Sequence, residues 1–270
     1  MLKGMVFIAG FEKCGTSTLH HWLSQHPNIC ASIPKEPQYF EREYWLGERY
    51  YLRTYFDHRD EYNTTMLLDS RPRNAIVPYV VDRIKESCVD PKFIFLLRNP
   101  AHRAVSAWWH WRSMRPGREP LVFKDAILSN MDEFYHNEQR PFELFSSEQE
   151  YLTNLDPAGG TYKRLYLENG LYDRHIKRFE QTFGTENIHI ILLEDLSYPS
   201  TYSGVLDFLQ LSFVISESFR NKNEAKMKCP IELNDPLLIK FYKREIDWDY
   251  LNSMVGIDLK RKWVGDAHTT

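Results

Sequence analysis

The densest chemistry of the chain lies near its start, where Gly10-Phe-Glu-Lys-Cys-Gly15-Thr-Ser joins the apolar run Met5-Val-Phe-Ile-Ala9 to a helix-like stretch ending near Gln25. A buried strand turning sharply into a helix leaves the first N–H groups of that helix without intrahelical partners, and those donors face an anion. The expected anion is a phosphate. In a nucleoside triphosphate loop the lysine directly follows the second glycine and reaches the outer phosphates. Here that position is Thr16, and the loop lysine is Lys13, at the crown. A cation there faces one phosphate and a group being transferred from it, which favours a donor other than ATP or GTP. The alternative is a glycine-bearing turn before an ordinary helix.

A second segment is Arg98-Asn-Pro-Ala-His-Arg103-Ala-Val-Ser106-Ala-Trp-Trp-His110. Arg98 closes an apolar run, and Ser106 lies about two helical turns farther on. A guanidinium fork together with a hydroxyl makes a specific phosphate grip. Arg103 either reinforces it or pairs with surface carboxylates. The competing reading makes Pro100 a helix start, Arg98 a structural ion pair and Ser106 a satisfied hydroxyl.

These residues need elements to position them. Met5 to Ala9, Thr65 to Asp69, Lys92 to Leu97 and Asn187 to Leu193 read as buried strands. Thr16 to Gln25, Asn74 to Ser87, Pro100 to about Arg112, Leu171 to Phe183 and Pro199 to Leu211 read as helices. That alternation predicts an α/β, P-loop-like three-layer fold, with a central, mostly parallel sheet flanked by helices. The carboxyl ends of its strands would collect the first loop, Asp69 to Arg71, Arg98 and Glu194. From Met114 to about Gly160 strand periodicity is missing, and helices are expected around Leu121 to Asn130 and Ser147 to Asn154. We read 114–160 as a helical insertion that covers the acceptor cleft. The tail from Asn234 to Asn252 reads as two helical segments parted near Ile246, with a final cap ending near Trp263.

With 270 residues, 43% of them hydrophobic, the chain can bury one sizeable core, so residues 1–270 are expected to form a single domain. No stretch is long or apolar enough to cross a bilayer, and Met1-Leu-Lys-Gly4 leads straight into the first strand. A cytoplasmic protein without a membrane partner is therefore expected. Cys14, Cys30, Cys88 and Cys229 show neither metal spacing nor a disulfide framework. A formal charge of -3 with mixed signs argues against nucleic acid or a polyanionic polymer and favours a small, neutral or cationic acceptor. The charge does not define an oligomeric state.

Taken together, the two segments resemble the sulfotransferase family that uses 3'-phosphoadenosine 5'-phosphosulfate (PAPS). The first resembles its 5'-phosphosulfate loop and the second its 3'-phosphate motif. The resemblance extends through Lys35-Glu-Pro-Gln-Tyr-Phe40, Gly170-Leu-Tyr172 and Glu194-Asp-Leu196, covering most of Met5 to Leu211. Lys35 to Phe40 is most similar to the carbohydrate enzymes that act on heparan sulfate and to their bacterial relatives.

The resemblance implies PAPS as sulfonyl donor, adenosine 3',5'-bisphosphate (PAP) as product, and no metal. Lys13 would hold the bridging region and sulfonyl oxygens, and the loop residues Cys14, Gly15, Thr16, Ser17 and Thr18 would cradle the 5'-phosphate. Arg98 and Ser106 would bind the 3'-phosphate. The family's later closing loop normally contains Lys-Gly. The nearest candidate here is Asn221 to Lys226, with Lys222 and Lys226 and no glycine. Transfer needs a base for the acceptor and cations for the departing phosphate. Glu36 matches the family's glutamate base, Lys35 would orient the donor or tune the carboxylate, and Gln38 would bind the acceptor.

After the second strand several related enzymes carry a lysine before Ser-Pro, where this chain has Asp69-Ser-Arg71-Pro72. Arg71 replaces the cation in one alignment. Asp69 helps proton transfer, binds a positively charged acceptor, or caps the following loop. Trp109 and His110 either reach the acceptor cleft or belong to an aromatic helix face. His20 and His21 read as surface or packing residues. The acceptor is expected to be a small molecule or a glycan, sulfated on a hydroxyl or an amine. The competing functions are a nucleotide-dependent kinase and an inactive phosphonucleotide-binding protein.

Overall fold

Met5-Val-Phe-Ile-Ala-Gly10 is apolar at every position, so a strand made of it is stable only where both faces of its sheet are covered. In the computed structural model of the chain this segment is buried along its whole length, near the middle of a five-stranded sheet. The structure describes residues 1–60, 62–114, 118–136, 148–153, 164–213 and 231–265. The strands are β1 (Leu2–Lys3), β2 (Met5–Gly10), β3 (Ile29–Ala31), β4 (Met66–Asp69), β5 (Cys88–Val89), β6 (Lys92–Leu97) and β7 (Ile188–Leu192). The helices are α1 (Thr16–Leu23), α2 (Glu48–Tyr55), α3 (Pro78–Ser87), α4 (Pro100–Met114), α5 (Phe123–His136), α6 (Glu148–Thr153), α7 (Tyr172–Phe183), α8 (Pro199–Phe208), α9 (Pro236–Glu245), α10 (Trp248–Val255) and α11 (Leu259–Val264).

The sheet runs β3-β4-β2-β6-β7 with every pairing parallel, and β1 pairs separately with β5. Register aligns Phe7 with Asp69 on one side and with Phe93 on the other. Strand order reverses at β2, because β3 and β4 lie to one side of it and β6 and β7 to the other. The carboxyl end of such a strand opens into a crevice between diverging connections, where open α/β sheets bind ligands. The expected three-layer α/β arrangement is observed.

The chain forms two compact units. One comprises Met1–Leu97 and Lys177–Lys226, and the other Arg98–Ile176 and Met227–Thr270. In the first, Phe93 packs on Phe179 and Phe183 with ring centroids 4.9 and 4.7 Å apart, which fixes the end of α7 on the sheet. In the second, Trp108 of α4 meets Phe123 of α5 at 5.5 Å, and its Nε1 donates to Leu121 O. Asp235, Asp247 and Asp258 each accept N–H bonds at the start of α9, α10 and α11, so three aspartates set the helix starts of the tail.

Local departures from the sequence reading have local causes. A single helix from Asn74 to Ser87 is expected, but a short 3-10 turn at Pro72–Ala75 is followed by α3 only from Pro78. Val77 is extended because a residue before proline is pushed out of the helical region. The strand β3 has three residues and no alternation to read, and α2 sits in an aromatic-rich segment whose only periodic signal is Tyr51 and Tyr55. Within 114–160 the expected helices are found as α5 and α6. The remainder of that segment lies partly outside the described residues.

Candidate active site

The loop from Phe11 to Gly15 leaves β2 and closes on itself through Cys14 N–H to Phe11 O at 3.1 Å, while Phe11 N–H is tied to Leu96 O of β6 at 3.1 Å. Lys13 sits at the crown in the left-handed region, φ 67°. Gly15 is the N-cap of α1, with φ 94° and no side-chain cap, and no acidic residue occupies the first turn. A helix start of this kind has the polarity that suits an anion. Gly15 has little room for a side chain, since a Cβ there would lie 2.6 Å from Leu196 Cδ1 and 2.8 Å from Leu193 Cδ1. Gly15→Ala is accordingly expected to lower stability by about 1–3 kcal/mol in denaturant unfolding. A loss below about 0.5 kcal/mol would show that the two leucines and the loop yield freely.

Against this loop the structure brings the segment after β3. Lys35 Nζ lies 3.4 Å from Thr16 Oγ1 and 3.1 Å from Glu36 Oε1. The Lys35 side chain is mostly covered, whereas that of Glu36 is 47% exposed. Thr16 and Thr18 are buried and Ser17 is exposed. Ser32 Oγ donates to Lys35 O at 2.9 Å and its N–H to Leu68 O at 3.0 Å, which moors the segment to the end of β4. Gln38 is half-buried; its N–H donates to Tyr55 Oη at 3.4 Å, and its Oε1 is buried without a hydrogen-bond partner.

Asp69 and Arg71 stand at the carboxyl end of β4, and both charged groups are engaged inside the protein. Asp69 is 1% exposed. Its Oδ2 accepts from Tyr51 Oη at 2.8 Å, and its Oδ1 from Arg71 N–H at 3.1 Å and Asn74 Nδ2 at 3.3 Å. Burial pushes the Asp69 carboxyl up to about 7, against the downward pull of Tyr51 and Arg71. Arg71 forms a two-pronged pair with the fully buried Glu41, through Nε to Oε1 and through Nη2 to Oε2 at 2.8 Å, and its Nη1 donates to Glu36 O at 3.4 Å. Glu41 and Tyr51 were not singled out from sequence. Tyr51 has a faint signal in its i, i+4 spacing with Tyr55 after Gly47, whereas nothing in the run from Tyr39 sets Glu41 apart from Glu43.

His20, read as a surface or packing residue, is half-buried with its Nδ1 2.8 Å from Ser70 Oγ. Its imidazole is pushed down to about 4 by burial, then by Lys35 and His21, with Glu36 opposing.

In the second unit Asn99 starts α4. Its Oδ1 accepts from the N–H groups of Ala101 at 3.0 Å and His102 at 3.3 Å, with Pro100 at the first helical position. The carbonyl of Arg98 accepts from Tyr172 Oη at 2.8 Å, which gives the Gly170-Leu-Tyr172 segment a structural task beside the Arg98 backbone. A Cβ on Gly170 would lie 2.5 Å from Tyr242 Oη, which donates to the carbonyls of Tyr166 and Leu167. Ser106, Trp109 and His110 are half-buried on α4. Arg103 is fully buried and donates through Nη2 to Tyr166 O, so it is not the surface residue that pairing with surface carboxylates would require. Lys222 and Lys226 lie outside the described residues. Among the described residues there is no cluster of three His, Cys, Asp or Glu able to hold a metal, and no helix long and apolar enough to cross a membrane.

The model of the sulfotransferase domain matches residues 3–221. The chain belongs to the sulfotransferase family. Among family members, heparan sulfate glucosamine 3-O-sulfotransferase 3B1 of Homo sapiens is 30% identical over 228 residues, 81% of this chain and 49% of its own length. Membrane-associated sulfotransferase kil1 of Dictyostelium discoideum is 21% identical over 295 aligned residues, 88% of this chain and 62% of its own length. The chain thus spans only half to three fifths of these curated relatives. The crystal structure of a sulfotransferase from Alicyclobacillus acidocaldarius shares the fold, with a TM-score of 0.63 at 23% identity over 97% of this chain and 99% of that one.

Proposed function

We propose that this sulfotransferase-family chain moves a sulfonyl group from PAPS to a hydroxyl or amine of a small molecule or carbohydrate, in one direct in-line step, in the cytoplasm. The observation that supports the reading is the contact of Lys35 Nζ with Thr16 Oγ1 at the start of α1, with the half-exposed Glu36 carboxylate paired to the same ammonium and no side-chain cap on the helix. In this reading the loop residues Cys14 to Thr18 hold the 5'-phosphate, Arg98 and Ser106 the 3'-phosphate, and Lys222 and Lys226 also bind the donor. Glu36 takes the acceptor proton as the new bond to sulfur forms. The bond from sulfur to the phosphate oxygen breaks, its electron pair stays on PAP, and Lys13 and Lys35 neutralise that charge. Gln38, with its unsatisfied buried carbonyl oxygen, is suited to a donor group of the acceptor. Trp109 and His110 are assigned to the acceptor side of α4. The engaged charges of Asp69 and Arg71 suit them to shaping the acceptor pocket, with Arg71 holding the Glu36 carbonyl.

Calorimetric titration with PAP, compared with ATP, tests the donor site without an acceptor. Selective PAP binding is expected, weakened about tenfold to a hundredfold by Arg98→Ala through loss of a charge-assisted phosphate contact. Equal preference for ATP, or an affinity indifferent to Arg98, would remove the basis of the reading. Positive binding is followed by an acceptor screen for the mass gain of one sulfonyl group.

A further inference from the structure

Thr16 and His20 stand four residues apart on one face of α1, and each touches a different segment. Thr16 Oγ1 meets Lys35 Nζ at 3.4 Å, and His20 Nδ1 meets Ser70 Oγ at 2.8 Å. The two segments also meet each other, since Arg71 Nη1 donates to Glu36 O at 3.4 Å. The contacts therefore close a ring from α1 through Lys35 and Glu36 to Arg71 and Ser70, and back to α1. The bond between His20 and Ser70 is its shortest link, and Ser70 is fully buried.

We propose that His20 is a positioning residue for sulfonyl transfer, holding Ser70 so that the ring fixes the Lys35 and Glu36 pair relative to the phosphate loop at the head of the same helix. The proposal rests on the reading of Glu36 as the base. The charged and titratable groups that act on the imidazole are Lys35, His21 and Glu36, and burial outweighs all three. His20 is uncharged at neutral pH, so it holds Ser70 without adding a cation beside Lys35. If His20 only packed, its loss would cost stability and leave transfer by the folded protein unchanged.

The test uses the full chain and transfer from PAPS to water, read as release of PAP, so no acceptor has to be known. His20→Leu and Ser70→Ala are each expected to slow release about tenfold by displacing the base from its reacting position. The double variant is expected to be no slower than either single one, because both break the same link. His20→Asn, whose side-chain amide replaces the ring Nδ1 as a hydrogen-bonding group for Ser70, is expected to regain most of the rate, and PAP affinity is expected to stay within about twofold in all variants. Multiplying losses, an unchanged rate in His20→Leu, or PAP affinity falling with the rate overturns the proposal. Amide exchange over residues 32–38 decides where release to water is too slow to read. Equal, non-additive loosening in His20→Leu and Ser70→Ala supports the ring, and unchanged exchange overturns it. Glu36→Gln in the same assay separates the two readings. Release at the wild-type rate in that variant removes Glu36 as base, while the exchange data still judge the ring.

Discussion

Glu36→Gln is expected to slow sulfonyl transfer by about 10²–10⁴-fold, the range contributed by a positioned general base, while PAP binding stays close to that of the unaltered protein. The substitution keeps the size of the side chain and an oxygen able to accept from Lys35 Nζ, which lies 3.1 Å from Glu36 Oε1. What is lost is the capacity to take a proton, together with the negative charge that faces Lys35. Because the Glu36 side chain is half-exposed, the change carries no folding penalty comparable to that of a buried acid. The comparison needs kcat with an acceptor from the mass screen, and PAP affinity by calorimetry. Near-normal kcat in Glu36→Gln would move the base elsewhere. Failure of both activity and PAP binding would mark Glu36 as part of the donor site instead.

The second large effect is on stability. Arg71→Ala leaves the Glu41 carboxylate fully buried without its two-pronged partner, and breaking such a pair costs about 3–5 kcal/mol. The same change frees the Glu36 carbonyl from Arg71 Nη1, so transfer by the fraction that stays folded is also expected to fall. The double change Arg71→Met with Glu41→Leu is expected to restore most of the stability, because it removes the buried acid together with its arginine. Denaturant unfolding of the three proteins decides the matter. A single-variant loss below about 1 kcal/mol would place the pair with exposed ion pairs, whose contributions are small.

These two expectations draw on different sources of information. The fold and the strand-turn-helix at its start were legible in the sequence because their signals are local. A continuous apolar run announces a strand covered on both faces, as for Met5 to Gly10, and the glycines and Lys13 that follow mark a turn into a helix start. Lys35 and Glu36 were singled out in the sequence through the family motif rather than from periodicity, and the structure sets Lys35 against Thr16. Proline placed the start of α3 later than the helical pattern alone suggested, since a residue before proline avoids the helical region.

The environment of each charge was decided only by the tertiary structure. Asp69 and Arg71 look the same in sequence whether they face an acceptor or the interior. Their burial follows from the parallel pairing of β4 with β2 and β3, together with the packing of Tyr51 and Glu41 against the strand end. The links from Thr16 to Lys35, from His20 to Ser70 and from Arg71 to Glu36 join residues 19, 50 and 35 positions apart. No local pattern encodes such contacts. The sequence by itself determined the strand-loop-helix structure, because backbone sterics and apolar periodicity act over a few residues. Which ionisable groups are exposed and which are held inside depends on strands and helices meeting in three dimensions, where desolvation and hydrogen bonding are set by neighbours distant in the chain.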